Sequence, residues 1–405
     1  MSVLNRRYFL QALSIGGVAA AMPRVLLADA DTEARFVFII LRGALDGLAA
    51  VAPYGDGNYS RMRGELTLSA PGVSEGALKL DGLFALHPSL ANMHARYREG
   101  ELIAIHAVAS PYRERSHFDG QDLLENGTLS PHGSTDGWLN RALTAVPATH
   151  SRNSEQLAFA FAQNIPLVLR GSAQVGSWAP SRLPQADADT LERVAHMYES
   201  DEYFASRLRS ALAADAVAGE NMGEGEKGMG RDPLGAFGTV ALAAGRMLHA
   251  DDGPRIAVLD VSGWDTHANQ GAGNGQLANR LAGLDRAIDA LRSELDAAWK
   301  HTVVLIATEF GRTVAINGTR GTDHGTATCA FLIGGAVNGG RVVADWPGLA
   351  SNDLYQNRDL KPTLDLRSVC KGVLASHLRI GESHLESTVF PESRSSKPLQ
   401  GLIRI

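Results

Sequence analysis

Five short, continuous apolar runs, Arg35–Leu41, Leu102–Val108, Ile256–Val261, Thr302–Ala307 and Cys329–Ile333, constrain this chain more than any other feature. They are rich in β-branched and aromatic residues and lack the polar alternation of a half-exposed strand, so each reads as a strand buried on both faces. Such strands belong in a mostly parallel sheet, whose crossover connections need helices. One helix is plain in the pattern: Leu277, Leu281, Leu284, Ile288, Leu291 and Leu295 recur every three or four residues and predict an amphipathic helix from about Gln276 to Trp299. Strand alternating with helix predicts an α/β fold, a doubly wound, mostly parallel sheet flanked by helices. A polar, Ala-rich helical stretch between Asp187 and Val217 and a Gly-rich charged stretch from Gly219 to Gly230 interrupt the pattern, and read as an inserted segment over about residues 185–232.

The 405 residues suffice for a large core, and 38 Lys and Arg against 44 Asp and Glu leave no broad basic surface for a phosphate backbone. No nucleic-acid partner is expected. The two cysteines, Cys329 and Cys370, are too few for a disulfide scaffold and read as small core residues. At the amino end, Asn5-Arg6-Arg7-Tyr8-Phe9-Leu10 precedes a mild apolar stretch from Ala12 to Met22, and Ala28-Asp29-Ala30 has the small-x-small form of a cleavage site. Residues 1–30 thus resemble a twin-arginine signal peptide, which implies the twin-arginine export machinery as a partner and a periplasmic or secreted location. The apolar stretch, diluted by Ser14, Gly16 and Gly17, is short for ~30 Å of hydrocarbon, so no stable membrane span is expected; an uncleaved anchor is the alternative. Residues 31–405 then read as one α/β domain.

Ligands of open α/β sheets bind at the carboxyl ends of strands, which gives weight to the polar residues that follow the buried runs. Arg42-Gly-Ala-Leu-Asp46-Gly47, Ser262-Gly-Trp-Asp265-Thr-His267, Thr308-Glu309-Phe-Gly-Arg312-Thr and Gly321-Thr-Asp323-His324-Gly325 all lie there. Carboxylate oxygen and imidazole nitrogen suit a divalent metal ion such as zinc, manganese, magnesium or calcium, so Asp46, Asp265, His267, Glu309, Asp323 and His324 are candidate ligands. Singly, each has a plainer reading: an Asp after a strand commonly caps a helix, and an Asp-x-His pair is commonly surface polarity or a satisfied core histidine. Their joint occurrence at strand ends among glycines favours the metal.

Arg113-Glu-Arg115-Ser116-His117-Phe118-Asp119 opens a further helical stretch. Ser116 with Asp119 three residues on has the form of a capping box. The same placement suits a nucleophile, because backbone N–H groups at a helix start stabilise an anion and a nearby metal can activate a hydroxyl. Arg113 and Arg115 either bind phosphate or sulfate oxygens or are solvated charges. Arg115, Ser116 and His117 are the catalytic candidates.

The order of these motifs resembles the alkaline phosphatase and sulfatase superfamily and, within it, an exported family of unknown function numbered 1501. The carrying segments are Leu-Arg-Gly-Ala-Leu-Asp-Gly-Leu at 41–48, Arg-Ser-His-Phe-Asp-Gly-Gln-Asp at 115–122, Gly-Trp-Asp-Thr-His-Ala-Asn-Gln at 263–270, Ala-Thr-Glu-Phe-Gly-Arg-Thr at 307–313 and Gly-Thr-Asp-His-Gly-Thr-Ala at 321–327. The resemblance implies a metal-activated hydroxyl attacking the phosphorus or sulfur of an ester, with Asp46 a ligand near it and Asp265, His267 and His324 at another metal position. Superfamily hydrolases usually carry an adjacent Asp-His pair after a late core strand, where this chain has Glu309-Phe310. Either Asp323-His324 is the displaced equivalent, or one metal position is weakened or absent. The leading expectation is an exported metal-dependent hydrolase of phosphate or sulfate esters; the alternative is a non-catalytic binding or assembly protein on the same fold. A metal-free serine hydrolase is disfavoured because no Gly-x-Ser-x-Gly elbow surrounds Ser116.

Overall fold

The computed structural model describes residues 33–145, 157–180, 188–198, 233–251 and 253–404, with isolated residues between 201 and 212. The signal-peptide expectation for residues 1–30 and the Gly219–Gly230 stretch lie outside the described residues; of the inserted helical stretch, Ala188–Tyr198 is described and is α-helical. Among the described residues no helix is long and apolar enough to cross a membrane.

The strands are, in chain order, β1 (Arg35–Arg42), β2 (Val51–Ala52), β3 (Leu78–Lys79), β4 (Ala85–Leu86), β5 (Leu102–Ala109) and β6 (Ala158–Phe161). After them come β7 (Gly176–Ser177), β8 (Ile256–Ser262), β9 (Thr302–Ala307), β10 (Thr328–Ile333), β11 (Arg341–Val343) and β12 (Leu364–Asp365). Nine form one sheet in the order β11-β5-β10-β9-β1-β8-β6-β7, with β12 beside β5; β2, β4 and β3 form a small second sheet. All five apolar runs are strands of the large sheet. Alternate residues of β1 enter different cores, Val37, Ile39 and Leu41 on one face and Phe36, Phe38 and Ile40 on the other, which is why the run has no polar face. The helices Pro233–His249 and Gln276–Leu295 cover the first face, and His117–Asn126, Trp138–Leu143 and Leu366–Ser376 cover the second. Cys329 and Cys370 are free and buried in opposite cores.

The amphipathic helix ends at Leu295 rather than Trp299, and a 3₁₀ segment, Asp296–His301, completes the connection. A larger departure is β10, which runs antiparallel to both β9 and β5 while β1, β8, β9 and β6 pair in parallel. No helix lies between β9 and β10. Without a crossover the chain must return antiparallel. That return places His324, just before a strand, at the same edge as Glu309, just after one.

Candidate active site at the strand ends

The carboxyl ends of four parallel strands, β1, β5, β8 and β9, meet at this edge. After β1, Gly43 lies at φ +118°, and a Cβ there would sit 2.8 Å from the backbone nitrogen of Asp265, so only glycine lets the β1 and β8 ends approach this closely. Its N–H donates to Glu309 Oε1 at 2.8 Å. After β8, Trp264 is fully buried and its indole N–H donates back to Val261 O, which leaves Asp265 turned toward solvent. After β5, the helix His117–Asn126 begins, with His117 and Gln121 one turn apart and both on Glu309, Nδ1 at 2.8 Å and Nε2 at 3.1 Å. Thr308 donates to the other oxygen of Glu309 at 2.8 Å. Burial would raise the Glu309 pKa, but these hydrogen bonds hold it below the ordinary value.

One atom each from His117, Asp265 and His324 lies within 4.8 Å of the others, an arrangement that could hold a metal ion. The ring orientations are set from behind. His117 donates its Nδ1–H to Glu309, and His324 Nδ1 lies 2.8 Å from the carbonyl oxygen of Arg115, so each presents Nε2 to the shared space. His117 Nε2 is buried, lies 3.3 Å from Asp265 Oδ2, and makes no hydrogen bond among the described residues. His267 stands at the same space, its Nδ1 3.3 Å from Asp323 Oδ1 and its Nε2 3.0 Å from both Asp265 Oδ1 and His324 Nε2. Two imidazole nitrogens facing at that distance, each with its proton committed on the far side, repel unless a proton or a cation lies between them.

Burial would raise the Asp265 pKa, but the Arg312 guanidinium and the nearby imidazoles hold it below the ordinary value. Burial lowers that of His324, whereas the Glu309 carboxylate raises that of His117 against its burial. For Asp323 the Asn317 amide comes first and lowers the pKa, and His267 adds to it. One carboxylate flanked by imidazoles is a donor set of the kind zinc takes.

The other expected residues stand differently. Asp46 is fully buried: it caps Gly47–Ala50 through Leu48 and Ala49 N–H, pairs with buried Arg63 and accepts from Gln270 Nε2 at 2.7 Å. It stays outside the converging trio because both its oxygens are committed to these partners. Glu309 supports His117 from behind, and Asp323 supports His267. Arg115 sends its guanidinium to Asp359 and Gln356, at 2.8 and 2.6 Å, so its part in the site is its carbonyl oxygen. Arg113 is likewise spent on the carbonyls of Ser110 and Tyr112. The expected capping box does not form. Ser116 occupies the N-cap position without a side-chain cap bond, its N–H donates to the Tyr112 hydroxyl at 3.0 Å, and that hydroxyl reaches Asp119. Phe310 contributes a wall: it is buried, its ring centroid 4.9 Å from that of His117 and 5.3 Å from that of His324. Sequence reasoning passed over Arg312, which is fully buried and binds Asp265 and Thr322. The signal was a lone guanidinium in a Gly- and Thr-rich strand end.

A family model described as "Protein of unknown function (DUF1501)" matches residues 33–389 and so takes in every residue of this site. The chain belongs to that family. No curated protein matches it. Among solved structures, the C-terminal periplasmic domain of EptC from Escherichia coli, in complex with zinc, is similar at a TM-score of 0.37 and 8% identity, over 76% of this chain and 74% of that one. The phosphonate monoester hydrolase of Agrobacterium radiobacter is similar at 0.37 and 10%, over 76% and 70%. Ps i-CgsB in complex with k-i-k-neocarrahexaose is similar at 0.39 and 10%, over 90% and 77%.

Proposed function

We propose that this DUF1501 protein is an exported metal-dependent hydrolase of phosphate or sulfate esters. The observation that carries the reading is the convergence of His117 Nε2, Asp265 and His324 Nε2 on one space, with each ring fixed from behind by Glu309 or the Arg115 carbonyl. His117, Asp265 and His324 would hold the ion, with His267 as a further nitrogen donor. A divalent cation, when bound there, would supply Lewis-acid stabilisation of negative charge on the ester oxygens. Asp265, kept ionised by Arg312, supplies negative charge to the ion, and the buried Phe310 ring excludes water from one side. Ser116 supplies the nucleophile: its Oγ bonds to phosphorus or sulfur as the ester oxygen leaves, and the proton lost by the serine neutralises the departing alkoxide. Water then cleaves the seryl ester and restores the hydroxyl. Export rests on the arginine pair, the apolar stretch and the small-x-small site of residues 1–30.

The test is a panel of phosphate and sulfate monoesters offered to wild type and Ser116→Ala. The Ser116 hydroxyl makes no cap bond, so the substitution should change stability by less than about 0.5 kcal/mol. Turnover should fall by several orders of magnitude, about 10³-fold or more, at unchanged metal content. Equal turnover in the variant would remove Ser116 from the chemistry. A loaded wild type that turns over no ester would favour a binding protein.

A further inference from the structure

At the opposite end of the sheet, an open pocket of about 460 Å³ is lined by Lys79, Leu80, His94, Tyr97, Arg98, Gly100 and Gly340. Gly100 precedes β5 and Gly340 precedes β11, so the pocket lies at the amino ends of these parallel strands, whereas the metal-ligand cluster lies beyond their carboxyl ends. Two of its lining residues are glycines. Both glycines have positive φ, +77° and +75°, and a Cβ on Gly340 would come within 3.4 Å of the Tyr97 carbonyl oxygen. Lys79 comes from a strand of the small sheet and Arg98 from the end of the helix Ala91–Arg98, so two separate elements bring cationic side chains to one concavity. Neither side chain makes an ion pair or hydrogen bond among the described residues, while Arg96, on the same helix, pairs with Glu99 and Glu101. No carboxylate lines the pocket of a chain with formal net charge −6.

Two cationic side chains at one concavity attract an anion. The volume exceeds what an inorganic oxyanion fills and falls in the range of small-molecule sites, and the half-buried Leu80 gives an organic group an apolar side. We propose that this pocket binds an organic phosphate or sulfate, an anionic head on Lys79 and Arg98 with a ring-sized body against Leu80, at a site separate from the reacting centre.

The test is calorimetric titration with phenylphosphonate, which carries the head and the ring and has no ester to cleave. Three full-length proteins are compared: wild type, Lys79→Ala/Arg98→Ala, and His117→Ala/His324→Ala. Lys79 and Arg98 are exposed, so their replacement should leave the melting temperature unchanged. The expected result is a binding event retained in His117→Ala/His324→Ala and weakened at least tenfold in Lys79→Ala/Arg98→Ala. Affinity within twofold of wild type in Lys79→Ala/Arg98→Ala, or no binding in His117→Ala/His324→Ala, would overturn the proposal. Phenyl sulfonate and benzyl alcohol, run alongside, separate recognition of phosphorus, of any oxyanion, and of the ring alone; benzyl alcohol binding as tightly as the anions would also overturn it.

Discussion

Glu309 accepts from Gly43, His117, Gln121 and Thr308 within a core where a lone carboxylate would be costly. Its bond to His117 ties protonation to folding. The His117 pKa is raised in the folded chain, chiefly by Glu309, so the stability this pair adds is fully present below the ordinary histidine value of ~6.5 and is lost as pH rises through the folded value. The Glu309 pKa is lowered, so its share is present above the ordinary carboxylate value and lost as pH falls through its folded value. His324, lowered by burial, acts in the opposite sense to His117 and loses stability as pH falls. In metal-free protein, wild type should therefore lose stability relative to Glu309→Gln as pH rises above about 6.5. Denaturant melts of both proteins between about pH 5.5 and 8.5 measure this directly. Parallel curves would mean that Glu309 does not set the state of His117.

At the level of elements, the helix His117–Asn126 meets the β9 end through Gly120. A Cβ at Gly120 would lie 2.9 and 3.0 Å from two atoms of the Phe310 ring and 3.3 Å from Glu309 Cβ. Helix propensity alone favours Gly120→Ala by about 1 kcal/mol. Here the added Cβ meets a buried ring, and overpacking should make the change destabilising by about 1–3 kcal/mol. Replacing Phe310 by Leu in the same chain should recover much of that loss, a coupling that a double-mutant cycle on melting free energy reads out. Additive effects would show that the helix does not rest on this ring. The same contact gives Phe310 a positive part. A residue that cannot ligate a metal instead walls the imidazoles that can.

For the molecule as a whole, the central strands were legible because burial on both faces leaves an unmistakable run of apolar residues, as in Phe36–Leu41. The short edge strands, such as Arg341–Val343 and Gly176–Ser177, carry too few residues for any period to register. That Asp265, His267 and His324 come together at one sheet edge was legible from their places beside strands, but the orientation of β10 was not, because an apolar run reads the same in either direction. The roles of Asp46, Arg115 and Arg312 needed three dimensions: whether a charged side chain faces a site or a buried partner depends on residues far away in sequence, such as Arg63, Asp359 and Thr322. The proposed metal site draws His117 from beyond the end of β5, Asp265 from beyond the end of β8 and His324 from the segment before β10. Its most direct measurement is metal stoichiometry, by elemental analysis and by titration of metal-stripped protein with zinc, manganese, magnesium and calcium, on wild type and on His117→Ala/His324→Ala. Wild type is expected to hold at least one divalent ion tightly, more weakly as pH falls through the histidine range because the imidazoles must be neutral to ligate, and the double variant to lose it. No uptake of any of these ions by folded wild type, or equal uptake by the double variant, would contradict it.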